Sequence, residues 1–108
     1  MEQDDATRKR PGEVRLSGKL ICASEEEAAL VATHLPEHIR LTHLEPGCLS
    51  FEVAQIDDSM IWRVEELFSD RAAFEAHQDR AKGSIWGAAT KAIRREYQIS
   101  SDFYAKRR

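Results

Sequence analysis

Apolar and polar side chains follow two clear patterns between residues 60 and 81. From Met60 to Phe68 two sets of alternate residues interleave, and one set is Met60, Trp62, Val64, Glu66 and Phe68. A period of two among aromatic and β-branched residues predicts a strand. The apolar spacing then changes to three and four residues, at Ala73, Phe74, His77 and Ala81, which predicts a helix capped by Asp70. This strand and this helix form the centre of the predicted fold.

The other elements follow from the same two patterns. Alternation predicts three further strands, at 14–22, 48–55 and about 94–99. Helical spacing predicts a helix within residues 24–44 and a short helix after Ser84. The order β-α-β-β-α-β predicts a ferredoxin-like α+β fold, with a four-stranded antiparallel sheet and both helices on one face. The other face would be open, so we expect two copies to pair these faces in a dimeric α+β barrel.

The first helix contains an unfavourable residue. Ser24 and Glu27 form a capping box at its start, and its inner face carries Ala28, Val31, Leu35 and Ile39. Pro36 has no N–H and its ring clashes with the preceding turn. We therefore expect the helix to kink or restart near Pro36, with Leu35 displaced from helical geometry.

Domain limits follow from composition along the chain. The 108 residues allow one domain, which we place at 13–100. A core of this size leaves a monomer only moderately stable, which favours a homodimer. Residues 1–12 are polar and predict a disordered extension. Residues 101–108 form a tail, and we expect its Phe103 and Tyr104 to dock on a partner subunit.

Charge and cysteine content exclude several classes of function. The net charge of -3 comes from mixed signs without a basic stripe, so we expect no nucleic acid and no membrane surface as a partner. No apolar run approaches the length of a membrane helix, and no signal peptide is visible. Cys22 and Cys48 lack features of a nucleophile, and we expect reduced, buried thiols in a cytoplasmic protein.

Glu66 and His77 are the candidate site residues of the central strand and helix. Glu66 shares a strand face with Trp62 and Phe68, and a charged group on an apolar face needs a partner. A helix folding back over that face would bring the imidazole of His77 near the carboxylate. The pair could serve chemistry, or the two groups could simply satisfy one another.

A zinc peptidase motif, H-x-x-E-H, occurs at His34 to His38. Two helical histidines four residues apart would face one metal, but Pro36 lies between them and disturbs that geometry. We therefore expect no metal. An RNA-binding sheet would need exposed aromatics on a basic surface, whereas the central strand carries Glu65 and Glu66.

Two stretches carry a family resemblance. THLEPGCLSF at Thr42 to Phe51 and VEELFSDRAAFEAHQ at Val64 to Gln78 resemble the antibiotic biosynthesis monooxygenase family, including its quinol monooxygenases. The likeness extends over residues 14–99, with the departure that His43 stands where relatives commonly carry arginine. The resemblance implies a dimeric ferredoxin-like α+β barrel, and often an oxygenase that uses no metal, haem or flavin on quinols and naphthols.

This chemistry needs a base and a dry aromatic slot, because a phenolate passes an electron to dioxygen more readily than a phenol does. His77 has suitable basicity and Glu66 could fix its tautomer. The candidate pocket residues are Trp62, Phe68, Phe74, Trp86 and His38. The sequence thus predicts a homodimeric, cofactor-independent monooxygenase acting on a small aromatic substrate with dioxygen. The alternative is a non-catalytic small-molecule binder on the same dimer.

Overall fold

The structure is a computed structural model that describes residues 12–101. Its elements are β1 (Val14–Ile21), α1 (Glu25–His43), β2 (Cys48–Gln55), β3 (Ile61–Phe68), α2 (Arg71–Lys82), α3 (Ile85–Ala89) and β4 (Arg94–Ser101). The strands form one antiparallel sheet in the order β2-β3-β1-β4. The predicted ferredoxin-like α+β fold is confirmed. The domain limits stay a prediction, and the expectations for residues 1–11 and for Phe103 and Tyr104 lie outside the described residues.

The core lies between the sheet and the helices. One alternate set of β1 and of β3 faces the helices, and it is buried because the period of two sends every second side chain to the same side. Buried residues of the core include Val14, Leu16, Leu20, Val31, Leu35, Trp62, Val64, Phe68, Phe74, Trp86 and Ile93. Glu66 belongs to the same inward set of β3 and therefore lies under the helices.

Helix α1 corrects the expectation about Pro36. The helix runs without interruption from Glu25 to His43, and Leu35 is helical and buried. Pro36 lies on the exposed side of α1, as does Ala32, whose carbonyl group loses its helical hydrogen bond. Water can reach that carbonyl group, so the missing donor does not leave a buried acceptor unpaired. The restart at Pro36 was a wrong prediction for this reason.

Gly18 allows β4 to approach β1 closely. A Cβ atom at Gly18 would lie 2.1 Å from the carbonyl oxygen of Glu96 and 2.7 Å from Cδ1 of Tyr97. The missing side chain thus makes room for the ring of Tyr97, the residue paired with Gly18 across the two strands. Strand β4 thereby brings Tyr97 and its neighbour Arg95 to the helix-covered side of the sheet.

The opposite face of the sheet is mixed in character. Glu65 accepts a 2.8 Å hydrogen bond from the hydroxyl of Ser17 and lies 3.7 Å from Arg15. Half-buried apolar side chains lie on the same face, namely Ile21, Ile61 and Leu67. This face therefore combines charged and apolar side chains.

Candidate functional site

A cavity of about 730 Å³ opens between the sheet and helices α2 and α3. Its inner end is formed by buried residues, chiefly His38, Phe51, Glu66, His77 and Trp86. Its mouth is formed by exposed residues, among them Asp79, Lys82, Lys91 and Arg95. The cavity thus passes from a buried interior of aromatic, imidazole and carboxyl groups to a charged opening.

Helix α2 places His77 at the inner end. The side chain of Asp70 accepts a hydrogen bond from the N–H of Ala73 at 2.8 Å and fixes the start of the helix. Phe74 and His77 then fall on the buried face, and His77 is 2% exposed. Its Nδ1 lies 2.8 Å from Oε1 of Glu45. Because a carboxylate can only accept, Nδ1 carries the proton and Nε2 keeps the lone pair of a neutral ring.

Glu45 comes from the turn between α1 and β2, and its position is held from two sides. Arg80, three residues after His77 on α2, donates from Nε to the other carboxylate oxygen. Arg80 also donates from Nη2 to the hydroxyl of Thr42 at 2.9 Å. The turn itself packs tightly on α2, since a Cβ at Gly47 would lie 2.1 Å from Cβ of Ala73.

The imidazole of His77 is kept neutral by its surroundings. Burial is the largest cause, and with the positive charge of Arg80 it lowers the pKa of His77, whereas the hydrogen bond and charge of Glu45 oppose this shift. A neutral ring with a fixed tautomer is the form that can accept a proton at Nε2.

Glu66 lies beside that nitrogen without bonding to it. Its Oε1 is 3.9 Å from Nε2 of His77, too far for a direct hydrogen bond. Within residues 12–101 this buried oxygen has no hydrogen-bond partner. Burial first, and then the charge of Glu45, raise the pKa of Glu66 to about 7, against the opposing effect of Arg95. The carboxyl group therefore exchanges its proton near neutral pH.

His38 and Trp86 form one aromatic wall. Their rings are stacked, with centroids 4.8 Å apart and planes at 8°. Burial is the main reason that the pKa of His38 is lowered to about 3, and the charges of Arg80 and Arg95 act in the same direction, so this ring stays uncharged. Phe51 closes the space between the two histidines, 5.4 Å from the ring of His38 and 5.5 Å from that of His77.

The structure brings some of the predicted site residues together and places others elsewhere. Glu66, His77, His38 and Trp86 line the cavity, whereas Trp62, Phe68 and Phe74 are buried core residues outside its lining. The ring of Phe68 packs behind His77 at 4.9 Å, and Phe74 packs on Phe68 at 5.9 Å.

Trp62 precedes Glu66 by four residues of an extended strand. That separation is about 13 Å, and although Leu20, the partner of Trp62 on β1, lines the cavity, the indole itself is buried in the core. Sharing a strand face with Glu66 is thus not enough to line the same cavity.

Sequence reasoning did not assign roles to Glu45, Arg80, Arg95 and Tyr97. Glu45 was part of the motif that carried the family resemblance, and Arg80 follows His77 at helical spacing. The sequence therefore contained a reason to consider both residues. Arg95 and Tyr97 offered no such reason, because the pairing of β4 with β1 decides where they lie.

The described part of the chain shows no group of three or more His, Cys, Asp or Glu side chains placed to hold a metal ion. Among residues 12–101, no helix has the length and apolar character needed to cross a bilayer. Cys22 is buried and Cys48 is half-buried, and both are free thiols.

Comparison with known proteins gives a family and a fold. Residues 19–83 match the sequence model of the family described as antibiotic biosynthesis monooxygenase. No curated protein matches the sequence significantly.

Several solved structures share the fold. SnoaB, a cofactor-independent oxygenase from Streptomyces nogalater, is 13% identical over 83% of this chain and 92% of its own, with a TM-score of 0.69. Rv0793 from Mycobacterium tuberculosis is 16% identical over 82% and 93%, with a TM-score of 0.65. MupZ from Pseudomonas fluorescens is 15% identical over 92% and 72%, with a TM-score of 0.70. At these identities the likeness shows the fold alone.

Proposed function

Because the chain belongs to the antibiotic biosynthesis monooxygenase family, we propose that it is a cofactor-independent monooxygenase that oxidises a small electron-rich aromatic of the quinol or naphthol type. The observation that carries this proposal is the state of His77. A buried neutral imidazole, held in one tautomer by Glu45, presents its lone pair inside an aromatic cavity. SnoaB, which shares the fold, is itself a cofactor-independent oxygenase.

The first step is removal of the phenolic proton by Nε2 of His77. The imidazolium that forms is stabilised by Glu45, which accepts from Nδ1 and is oriented by Arg80. The negative charge of the carboxylate stabilises the imidazolium as the proton is transferred, which lowers the barrier to this step. The buried rings of Phe51 and Trp86 offer the phenolate apolar surface at the inner end of the cavity and so reduce its contact with water.

The phenolate then supplies the electrons for the rest of the reaction. It transfers one electron to dioxygen, and the resulting pair of radicals joins through a bond between a ring carbon and oxygen. His77 returns its proton to the peroxide. The O–O bond breaks, the ring C–H proton leaves with the distal oxygen as water, and the remaining oxygen becomes a quinone carbonyl. One substrate and one dioxygen thus give one quinone and one water, and no external reductant is required.

Glu66 fits a supporting role in this sequence. Its carboxyl group lies 3.9 Å from Nε2 of His77 and titrates near neutral pH, with the pKa raised to about 7. A protonated Glu66 can donate a hydrogen bond to the oxygen that becomes negatively charged. It thereby stabilises the phenolate or the peroxide without carrying a competing charge.

The proposal includes the predicted homodimer. The sheet face opposite the helices carries Ile21, Ile61 and Leu67 among charged residues, and pairing with a second copy would bury these apolar side chains. The cytoplasmic location inferred from the unpaired cysteines stays a prediction.

Oxygen uptake in the presence of a panel of quinols and naphthols tests the function. We expect consumption of dioxygen by the wild type and a loss of at least about a hundredfold in His77→Ala, since general base catalysis contributes on the order of that factor. His34→Ala is the matched control, because His34 does not line the cavity of about 730 Å³. Unchanged uptake in folded His77→Ala would remove the catalytic role. Tight binding without turnover in the wild type would favour the non-catalytic binder.

A further inference from the structure

The mouth of the cavity carries an excess of positive charge. Among the described residues that line it, the exposed cations are Lys82, Lys91 and Arg95, and Asp79 is the exposed anion. The chain as a whole has a net charge of -3. The net charge of the opening is therefore positive, whereas that of the whole chain is negative. This difference concentrates negatively charged ligands at the opening.

Arg95 has a fixed position at this mouth. Its Nη1 donates to the carbonyl oxygens of Thr90 at 2.9 Å and of Ile93 at 3.1 Å, and its Nη2 donates to the hydroxyl of Thr90 at 2.9 Å. The guanidinium group is thus oriented before any ligand arrives, so less entropy is lost on binding. Its charge reaches the cavity, where it affects Glu66 and Tyr97.

Tyr97 adds a neutral donor next to this charge. Burial is the main reason that the pKa of Tyr97 is raised to about 12, and Arg95 acts against that shift through its charge and a hydrogen bond. The phenol of Tyr97 therefore keeps its proton throughout the physiological range. The pair suits a carboxylate, because the hydroxyl of Tyr97 can donate a hydrogen bond to it and the positive charge of Arg95, whose guanidinium is already bonded to Thr90 and Ile93, attracts it.

The two ends of the cavity favour different chemical groups on a ligand. The inner end, with His77 and Glu66, suits a hydroxyl group that gives up a proton, whereas the mouth suits a group that is already negative. We infer that the ligand is a hydroxylated aromatic acid, bound with its phenolic end toward His77 and its carboxylate toward Lys82, Lys91 and Arg95. This inference rests on the proposed function, whose substrate class it narrows.

The test compares two probes that differ by one carboxylate, 1,4-dihydroxy-2-naphthoate and 1,4-dihydroxynaphthalene. Calorimetric titration without oxygen measures affinity in the absence of turnover. We expect the acid to bind roughly tenfold more tightly than the neutral compound, which corresponds to about 1.4 kcal/mol, because its carboxylate would form one or two partly exposed ion pairs at the mouth. Added salt should reduce this preference, since screening weakens charge attraction at the mouth.

Charge reversal at the mouth gives the sharper comparison. Lys91→Glu should abolish the preference for the acid while leaving the affinity for the neutral compound within about twofold. Arg40→Glu is the matched control, since Arg40 is an exposed residue of α1 outside the cavity lining and the change in charge is the same. Lys82→Gln is a second variant that should reduce the preference by a smaller factor.

The possible outcomes separate the inference from the function. Equal affinity for both probes in the wild type, or equal effects of Lys91→Glu and Arg40→Glu, would overturn the anionic ligand class. Preference for the acid without oxygen uptake in air would support the ligand class and remove the oxygenase function. Oxygen uptake together with equal affinities for the acid and the neutral probe would support the oxygenase function and overturn the inference of an acidic ligand.

Discussion

The side chain of His77 owes its orientation to a carboxylate 32 positions earlier in the chain. Glu45 accepts the Nδ1 proton and thereby decides which nitrogen is free to act as a base. Burial alone would make the imidazole a poor base, because it lowers the pKa, and Glu45 opposes that effect. Basicity and tautomer therefore depend on the same contact.

Glu45→Gln tests this contact at the scale of one residue. The amide can still accept from Nδ1 but lacks the charge, so the pKa of His77 should fall further. We expect kcat/KM to drop about 10- to 100-fold, as for other residues that orient a functional histidine. The acid limb of the pH profile should move to lower pH, which a purely structural defect would not cause. Glu37→Gln, at an exposed position of α1, is the control and should leave the profile unchanged.

Glu66 gives a prediction about stability. Its pKa is raised from 4.5 to about 7 on folding, so the folded state holds the proton more tightly than the unfolded chain. The stability that Glu66 contributes is complete below pH 4.5 and is lost as the pH rises towards 7. Relative to the wild type, Glu66→Gln should therefore gain on the order of 3 kcal/mol across this window.

Urea denaturation at a series of pH values measures this difference. Glu75→Gln serves as the control because Glu75 is exposed on α2, and its curve should run parallel to that of the wild type. A constant difference between Glu66→Gln and the wild type from acid to neutral pH would contradict the expectation.

Two of the three central groups, Glu66 and His77, could be predicted from the sequence for sound physical reasons. Alternation on β3 placed Glu66 inward, and helical spacing after Asp70 placed His77 over it. The hydrogen-bond partner of His77 could not be derived in the same way, because Glu45 lies in a turn without periodicity. Its position depends on how the turn packs on α2, which is a tertiary contact.

At the scale of elements, the packing of that turn depends on Gly47. A Cβ atom there would come within 2.1 Å of Cβ of Ala73 and 3.0 Å of Oγ of Ser69, so the turn would have to move away from α2. Such overpacking costs about 1–3 kcal/mol. The displacement would also separate Glu45 from His77.

Gly47→Ala should therefore lower both the free energy of unfolding and the rate of oxygen uptake. Gly83→Ala, at the C-cap of α2, is the matched control, since the nearest atoms to its Cβ are 3.8 Å away and its φ is -89°. We expect that variant to be as stable as the wild type or slightly more so. Equal losses in the two variants, measured by thermal denaturation, would contradict this account.

Helix α1 shows why a local rule can fail within an element. Pro36 does remove a hydrogen bond, but burial of Leu35 on one side and of His38 two residues later anchors the helix to the core. Tertiary packing supplies most of the stability of a helix in a protein, so it outweighs one unfavourable residue. The sequence predicted the loss of a hydrogen bond at Pro36, but it did not predict that packing on the core would keep α1 continuous.

For the whole molecule, we expect the open sheet face to determine assembly. Ile61→Glu would place a charge among the half-buried apolar residues of this face, and we expect it to shift the dimer to monomer in sedimentation velocity experiments. Ile85→Glu is the control, because Ile85 is 75% exposed on α3, on the helix side. A wild type that is monomeric at every concentration would contradict the proposed dimer.

Within residues 12–101, strand β4 pairs with β1 alone and forms one border of the sheet. Border strands fray first, since their outer amide groups have no partner strand, and local opening needs less free energy than global unfolding. Because Arg95 and Tyr97 belong to this strand, we expect a molecule bound in the cavity to stabilise β4 against local opening. Slower deuterium uptake by the amides of residues 94–101 would then report occupancy, even for a compound that is never oxidised.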